Sequence, residues 1–292
     1  MTEKLPDFTK LSDRVSRVLG KNSNEFTLQG TNTYLIGTGS QRILLDTGEK
    51  PEYIPLLFNS IKQLGENINI SDILITHWHN DHVGGVDGIL LYIKENNLPI
   101  PVIHKKLCPK QDSPHHQTIF HQINDNQIFQ TEGATLQTIY APGHSEDHLG
   151  FYLKEENAIF TGDSVLGEGT TVFEDLTVYL DSLEKMKKFS PNMLYPGHGP
   201  TIKNGTEKIE EYIDHRMRRE NQILEVFKKE NRSLTPAEIV EIIYAKYPKS
   251  LWPAAERGII LHLIKLEKEN KVYRVDNDSE DNVKQKWSLA KI

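Results

Sequence analysis

The stretch Thr76-His77-Trp78-His79-Asn80-Asp81-His82-Val83-Gly84-Gly85 decides how the rest of the chain is read. It follows the apolar run Ile73-Leu74-Ile75, which has strand character, and leads into a helical stretch over Val83 to Asn96. Four side chains able to ligate a metal fall within six residues. His77 and His79, separated by one residue, point the same way on an extended backbone and can face one ion. Asp81 and His82, at the turn into the helix, can swing toward a second. Imidazole nitrogen and carboxylate oxygen suit zinc, with no thiolate required. So dense a set of donors has no use in packing.

Working outward, three further donors stand at the ends of apolar segments, each beside a glycine that lets the backbone turn sharply. His144 lies in Ala141-Pro142-Gly143-His144, Asp163 in Phe160-Thr161-Gly162-Asp163 and His198 in Tyr195-Pro196-Gly197-His198. Seven groups suffice for two metal ions sharing one carboxylate. The other histidines read differently. His104, His115, His116 and His121 fall in a polar, loop-like stretch and read as solvated surface, and His215 and His262 as structural groups of the tail. His148, four residues after His144, reads as a group behind the ligands or a proton donor. Trp78 reads as a packing residue rather than a cleft residue. Asn32 and Thr170-Thr171, in glycine-flanked polar loops, fit a cleft wall and an ordinary turn equally well. The single cysteine, Cys108, lies outside every motif and reads as an inert thiol.

The 292 residues are 37% hydrophobic and 26% charged, which suits one large domain with a smaller one. One cysteine allows no internal disulfide, and the 19 Gly and 14 Pro argue against collagen-like or disordered chains. No apolar run approaches the roughly 20 residues of a membrane span, which excludes an integral membrane protein. Residues 1–206 carry 17 Lys and Arg against 25 Asp and Glu, whereas 207–292 carry 17 against 16. That balance does not suit a grip on duplex DNA, although bound cations can supply positive charge to a nucleic-acid substrate. The first twenty residues mix Lys4, Lys10, Arg14 and Arg17 with Glu3, Asp7 and Asp13 and lack an apolar core, so a cytoplasmic protein without a cleaved leader is expected.

Strands are expected at Tyr34 to Gly37, Ile43 to Asp46, Ile73 to Thr76, Thr135 to Tyr140, Gly150 to Leu153 and Ala158 to Thr161. Helices are expected over Tyr53 to Leu64, Val83 to Asn96, Leu176 to Phe189 and Thr206 to Glu230. The pattern is that of a mixed α/β sandwich, two sheets with helices outside. The tail follows another plan. Thr235-Pro236-Ala237-Glu238 is a capping box with proline at the first helical position, opening a helix to about Tyr247. A third helix from Ala254 to Asn270 precedes short strands at Lys271 to Val275 and Lys286 to Leu289. Helices followed by a hairpin make a winged helix, so a catalytic domain is expected over 1–206 and a winged-helix-like domain over 207–292. The tail's charges are mixed: Arg216, Arg218, Arg219, Lys284 and Lys286 are opposed by Glu280 and Asp281 in the wing. Such a tail shapes a cleft or guides a single strand weakly, or is simply a solvated face.

THWHNDHVGG, APGHSEDH, FTGDSVLGEG and YPGHGP resemble, in order and spacing, the motifs of the metallo-β-lactamase superfamily. LQGTNTYLIGTG, ILLDTGE, GEGTTVFEDL and the tail extend the likeness, over about Leu11 to Trp287, to the animal β-lactamase-like protein 2 family. The resemblance implies an αββα sandwich with a dizinc site at the sheet edges. It implies His77, His79 and His144 on one zinc, Asp81, His82 and His198 on the other, and Asp163 bridging. The ligand set is similar to that of the glyoxalase II and nuclease branches, and Cys108 does not stand where true β-lactamases often place a cysteine, so antibiotic hydrolysis is not expected. The implied activity is endonucleolytic cleavage of single-stranded RNA, and the implied compartment is the mitochondrial matrix.

The expected mechanism uses a hydroxide bridging two Zn2+ ions, with Asp81 orienting it and accepting its proton and His148 as general acid. The competing enzymatic reading is a glyoxalase II-like thioester hydrolase, against which a winged-helix tail argues. A non-enzymatic RNA-binding scaffold is the third. Beyond the RNA substrate no membrane or protein partner is expected, and the chain is expected to be a monomer.

Overall fold

A computed structural model describes residues 4–112, 118–275 and 282–290. The first sheet runs in the order β1 (Phe8–Lys10), β2 (Val15–Leu19), β3 (Asn32–Ile36), β4 (Gln41–Leu45), β5 (Asn69–Leu74), β6 (Val102–Lys105) and β7 (His121–Gln122). Its pairs are antiparallel up to β4 and parallel from there. The second sheet pairs β8 (Ile128–Thr131), β9 (Ala134–Tyr140), β10 (Leu149–Leu153), β11 (Ala158–Gly162), β12 (Met193–Pro196) and β13 (Ile202–Lys203) in sequence order. Only β11 and β12 run parallel in it.

Strand periodicity makes the layers. Along β3 and β4, Tyr34, Ile36, Ile43 and Leu45 turn to the other sheet, where they meet Leu136, Phe151 and Phe160. The alternate residues Leu35 and Leu44 turn outward, under Leu57 and Ile61 of α1 (Tyr53–Leu64) and Ile89 and Ile93 of α3 (Val86–Glu95). In the second sheet Ile139, Ile159 and Leu194 face α4 (Leu176–Lys187). Strands buried on both faces must be apolar throughout, which is why they read as continuous hydrophobic runs. The layers are therefore helix, sheet, sheet, helix.

The helix expected from Val83 is two. The short α2 (Asn80–Val83) ends at Gly84-Gly85, where the Gly85 N–H turns to the Gly48 carbonyl, and α3 starts afresh at Val86. His104, read as loop surface, lies on β6, only 14% exposed, with its Nε2 3.0 Å from Asp72 Oδ1. His121, on β7, is exposed, while His115 and His116 lie outside the described residues.

The tail comprises α5 (Gly205–Glu230), α6 (Pro236–Ile243), α7 (Trp252–Lys268) and the antiparallel pair β14 (Val272–Arg274) and β15 (Trp287–Leu289). The Thr235–Glu238 capping box forms in both directions. α6 stops at Ile243, short of Tyr247, and α7 starts at Trp252 because Pro253 is tolerated in a first turn. Glu280 and Asp281 of the wing lie outside the described residues. α5 belongs to two cores: Ile209 and Tyr212 pack under the second sheet, while Ile223, Val226 and Phe227 pack with Leu263, Leu266 and Trp287. Buried Glu220 on α5 pairs with Lys265 of α7 at 2.8 Å. A shared helix, not a linker, joins tail to sandwich. No helix of the described residues is long and apolar enough to cross a membrane.

Candidate metal centre

The donor-bearing turns follow the C-terminal ends of β5, β9, β11 and β12 and meet at one edge of the sandwich. Two groups form, each with ligand atoms within 4.8 Å of one another: His77, His79, His144 and Asp163; and Asp81, His82 and His198. All seven side chains singled out in the sequence are brought together. His79, Asp81, His144, Asp163 and His198 also line a cleft of about 430 Å3, with Phe26 and Val172 exposed at its rim.

In the first group His79 Nδ1 lies 2.8 Å from His77 Nε2 and 3.1 Å from His144 Nε2. Three imidazole nitrogens aimed at a common point approach the roughly 3.3 Å spacing of tetrahedral ligands about 2.05 Å from zinc. The outer nitrogens are fixed. His144 Nδ1 lies 2.9 Å from the Val172 carbonyl, which can only accept, so the proton sits there and Nε2 keeps its lone pair. His77 Nδ1 meets the Thr76 hydroxyl at 2.9 Å.

His82, fully buried, is held by a group the sequence reading missed. Asp46, at the end of β4, accepts from His82 Nδ1 at 2.8 Å and from the Thr76 N–H at 2.8 Å. An oriented carboxylate behind a histidine fixes its tautomer and raises its basicity as a ligand. The signal was present: Ile43-Leu44-Leu45-Asp46 ends an apolar strand on an acid just as Phe160-Thr161-Gly162-Asp163 does. Thr31 was missed too, and its hydroxyl donates to Asp81 Oδ2 at 2.8 Å. Asn32, a candidate for the cleft wall, is fully buried and instead ties the His198 turn, donating to the Pro196 and Gly199 carbonyls at 2.8 Å each. Thr170 and Thr171 do line the cleft. Trp78 joins none of the buried cores; half-buried, its ring stacks edgewise on His79 at 4.5 Å.

Asp163 stands between the groups, 3.7 Å from His144, 3.5 Å from His82 and 3.3 Å from His198. Gly197 presses its backbone beneath this carboxylate: a Cβ there would lie 2.3 Å from Asp163 Oδ1 and 3.0 Å from His82 Cε1. His82 Nε2 and Asp163 Oδ1 are buried without a hydrogen-bond partner. Buried polar atoms are rarely left so, and imidazole nitrogens converging with carboxylate oxygens make a donor set that fits a cation.

The electrostatics divide accordingly. Burial lowers the pKa of His77 far below the usual histidine range and that of His79 to about 4, with the neighbouring imidazoles adding to the effect. Burial also opposes charge on His82 and His198, but Asp81 and Asp163 outweigh it, raising His82 well above its ordinary value and His198 to about 9. Asp81 and Asp163, despite burial, are held far below the usual carboxylate range by His82 and His198.

His148 requires a correction. It is fully buried behind the ligands, not in the cleft, and its Nε2 accepts from the Asp163 backbone N–H at 3.0 Å while Nδ1 meets the Ser164 hydroxyl at 3.3 Å. An amide N–H can only donate, so His148 Nε2 carries no proton, and burial lowers its pKa far below the usual range. It cannot serve as a general acid; it positions Asp163. Gly162, with φ +48°, makes room, since a Cβ there would lie 2.6 Å from His148 Nε2.

The Metallo-beta-lactamase superfamily matches over residues 26–198, and a Beta-lactamase associated winged helix domain over 235–287. The chain belongs to the metallo-β-lactamase superfamily. It is 45% identical over 269 residues to the β-lactamase-like protein 2 homolog of Caenorhabditis elegans, covering 90% of this chain and 87% of that protein. It is 40% identical over 254 residues to the atrochrysone carboxyl ACP thioesterase of Aspergillus fumigatus, covering 84% and 78%. Among solved structures, a β-lactamase domain protein from Burkholderia ambifaria superposes with a TM-score of 0.79 at 16% identity, covering 97% and 93% of the two chains. The fold is thus a metallo-β-lactamase sandwich followed by a winged helix, and its His and Asp clusters suit a metal-dependent hydrolase.

Proposed function

We propose that the chain is a dizinc endoribonuclease acting on single-stranded RNA. The observation that carries this is Asp163, whose carboxylate lies within 3.3–3.7 Å of imidazoles of both donor groups in one open cleft, as a residue shared by two cations would. Paired cations suit in-line displacement at phosphorus, where attacking and leaving oxygens both need charge compensation. In this reading His77, His79 and His144 would hold one Zn2+ and Asp81, His82 and His198 the other, with Asp163 shared between the two groups. Bound there, the ions would supply Lewis acidity and make water nucleophilic near neutral pH.

The chain's own residues do the rest. Asp46 and the Val172 carbonyl fix the His82 and His144 tautomers, so that each offers a lone pair inward. Thr31 donates to Asp81 Oδ2, which faces His82 and His198 Nε2 at 3.2 and 3.3 Å, and so fixes the carboxylate that in this reading orients the attacking water. His148 holds the backbone of Asp163, keeping its carboxylate between the groups.

A second reading, thioester hydrolysis, is favoured by the 40% identity to a fungal ACP thioesterase, since the same centre can attack a carbonyl. One experiment separates them. Purified protein of measured metal content is incubated with an end-labelled unstructured RNA and, separately, with an acyl-pantetheine thioester and a glutathione thioester, beside the Asp163→Ala variant. Internal RNA cuts by the wild type, lost together with metal in the variant, are expected. Intact RNA with two metals bound and a thioester consumed would overturn the proposal.

A further inference from the structure

The metal cleft shares a wall with a second concavity. Thr170, Thr171 and Val172 line both. The Val172 carbonyl accepts from His144 on one side, and the Thr171 carbonyl accepts from Arg216 Nη2 at 2.8 Å on the other. The second concavity, about 400 Å3, opens between α5, α7 and the chain joining α6 to α7, with His215, Arg216, Arg219, Arg257, Tyr244 and Tyr247 in its lining.

Its charge is uncompensated. Among the described residues no carboxylate lies within ion-pair distance of Arg216, Arg219 or Arg257, in a chain whose net charge is −7. Arg216 is nine-tenths buried, lies 4.7 Å over the Phe173 ring, and its Nε has no hydrogen-bond partner. Arg219 lies 4.4 Å over the Tyr244 ring. Tyr247, 55% exposed, lines the concavity with its ring tilted against Tyr244 at 5.4 Å between centroids. Guanidinium forks match phosphate oxygens, and exposed aromatic faces stack on unpaired bases.

We propose that this concavity is a nucleotide subsite, taking a phosphate and its base from the same single strand whose scissile bond lies in the metal cleft. Arg219 and Arg257 meet the phosphate, and Tyr247 stacks on the base. Arg216 braces the shared wall. The assignment rests on the nuclease reading.

The test measures binding of a labelled, cleavage-resistant phosphorothioate hexaribonucleotide to the metal-loaded full chain by fluorescence anisotropy across a salt series. The Arg219→Ala/Arg257→Ala variant is expected to weaken binding about tenfold or more. Its log K against log salt slope should flatten by about 0.7, the contribution of the one single-strand phosphate that is no longer neutralised. Tyr247→Ala should weaken binding with the slope unchanged, and the arginine variant should raise KM for cleavable RNA at constant kcat. Exposed Arg257 has no packing role, so Arg257→Ala alone carries the test if the double variant fails to fold. Unchanged affinity and slope while RNA is still cleaved would sink the subsite and leave the nuclease standing. Absence of RNA binding overturns the subsite in every case. If a thioester of phosphopantetheine is then hydrolysed with a KM raised by the arginine variant, the nuclease reading falls as well and the pocket belongs to the pantetheine phosphate.

Discussion

Replacing Asp46 by asparagine tests whether the centre depends on a residue that ligates nothing. Asp46 is 2% exposed and accepts from the Thr76 N–H at 2.8 Å, the Thr76 hydroxyl at 3.0 and 3.1 Å, and His82 Nδ1 at 2.8 Å. Asparagine keeps one acceptor. Turned to Thr76, it presents its amide NH2 to His82 Nδ1, and the neutral ring must then carry its proton on Nε2. That is the nitrogen facing Asp81 at 3.2 Å and Asp163 at 3.5 Å, the lone pair a metal would need. Loss of such an outer partner costs 10- to 100-fold in metal affinity, about 1.4–2.8 kcal/mol. On the proposed two-ion reading, competition against a chromophoric chelator should show that loss at one ion only, the ion assigned to His77, His79 and His144 staying in place. Wild-type affinity for both ions in Asp46→Asn would refute the argument that this carboxylate sets the His82 tautomer.

Other expectations follow from neighbouring contacts. His148→Ala removes a buried imidazole and orphans the Asp163 N–H; stability should fall by about 2–4 kcal/mol and turnover should slow with metal content at the wild-type level. Unchanged turnover at full loading would mean that His148 does not position Asp163. Gly197→Ala drives a methyl group against Asp163 Oδ1 and should reduce metal content measured by elemental analysis, whereas the control Gly258→Ala on α7, where a Cβ meets nothing within 4 Å, should not. In chelated protein the pH profile of stability should peak near pH 6.5. His198, raised to about 9, and His82 give stability that is complete below the unfolded histidine pKa of about 6.5 and is lost as pH rises toward 9. His77, His79 and His148, lowered by burial, lose theirs as pH falls below about 6.5. Thermal melts of the chelated protein that stay flat from pH 6.5 to 9 would count against the ion pairs of His82 and His198.

What the sequence determined by itself was local. The layers follow from runs such as Tyr34-Leu35-Ile36 and Ile43-Leu44-Leu45, whose alternate side chains serve two cores, and the tail helix α6 from its capping box. The seven donors were legible because His77, His79, Asp81 and His82 crowd into six residues after an apolar strand, while His144, Asp163 and His198 each directly follow a glycine (Gly143, Gly162, Gly197) at the end of an apolar segment. Tertiary structure alone decided which partners meet across the chain. Asp46 reaches His82 over 36 residues and Thr31 reaches Asp81 over 50, contacts fixed by which strand ends lie side by side. His148 reads in sequence as a neighbour of the ligand His144, but the direction of one backbone N–H turns it into an acceptor. Arg216 belongs to a mixed-charge helix by composition, yet packing buries it against the wall of the metal cleft. Periodicity and turn residues specify the conformation of a segment. They carry no information about which distant segment will satisfy its remaining hydrogen bonds, because that is settled only when the layers close.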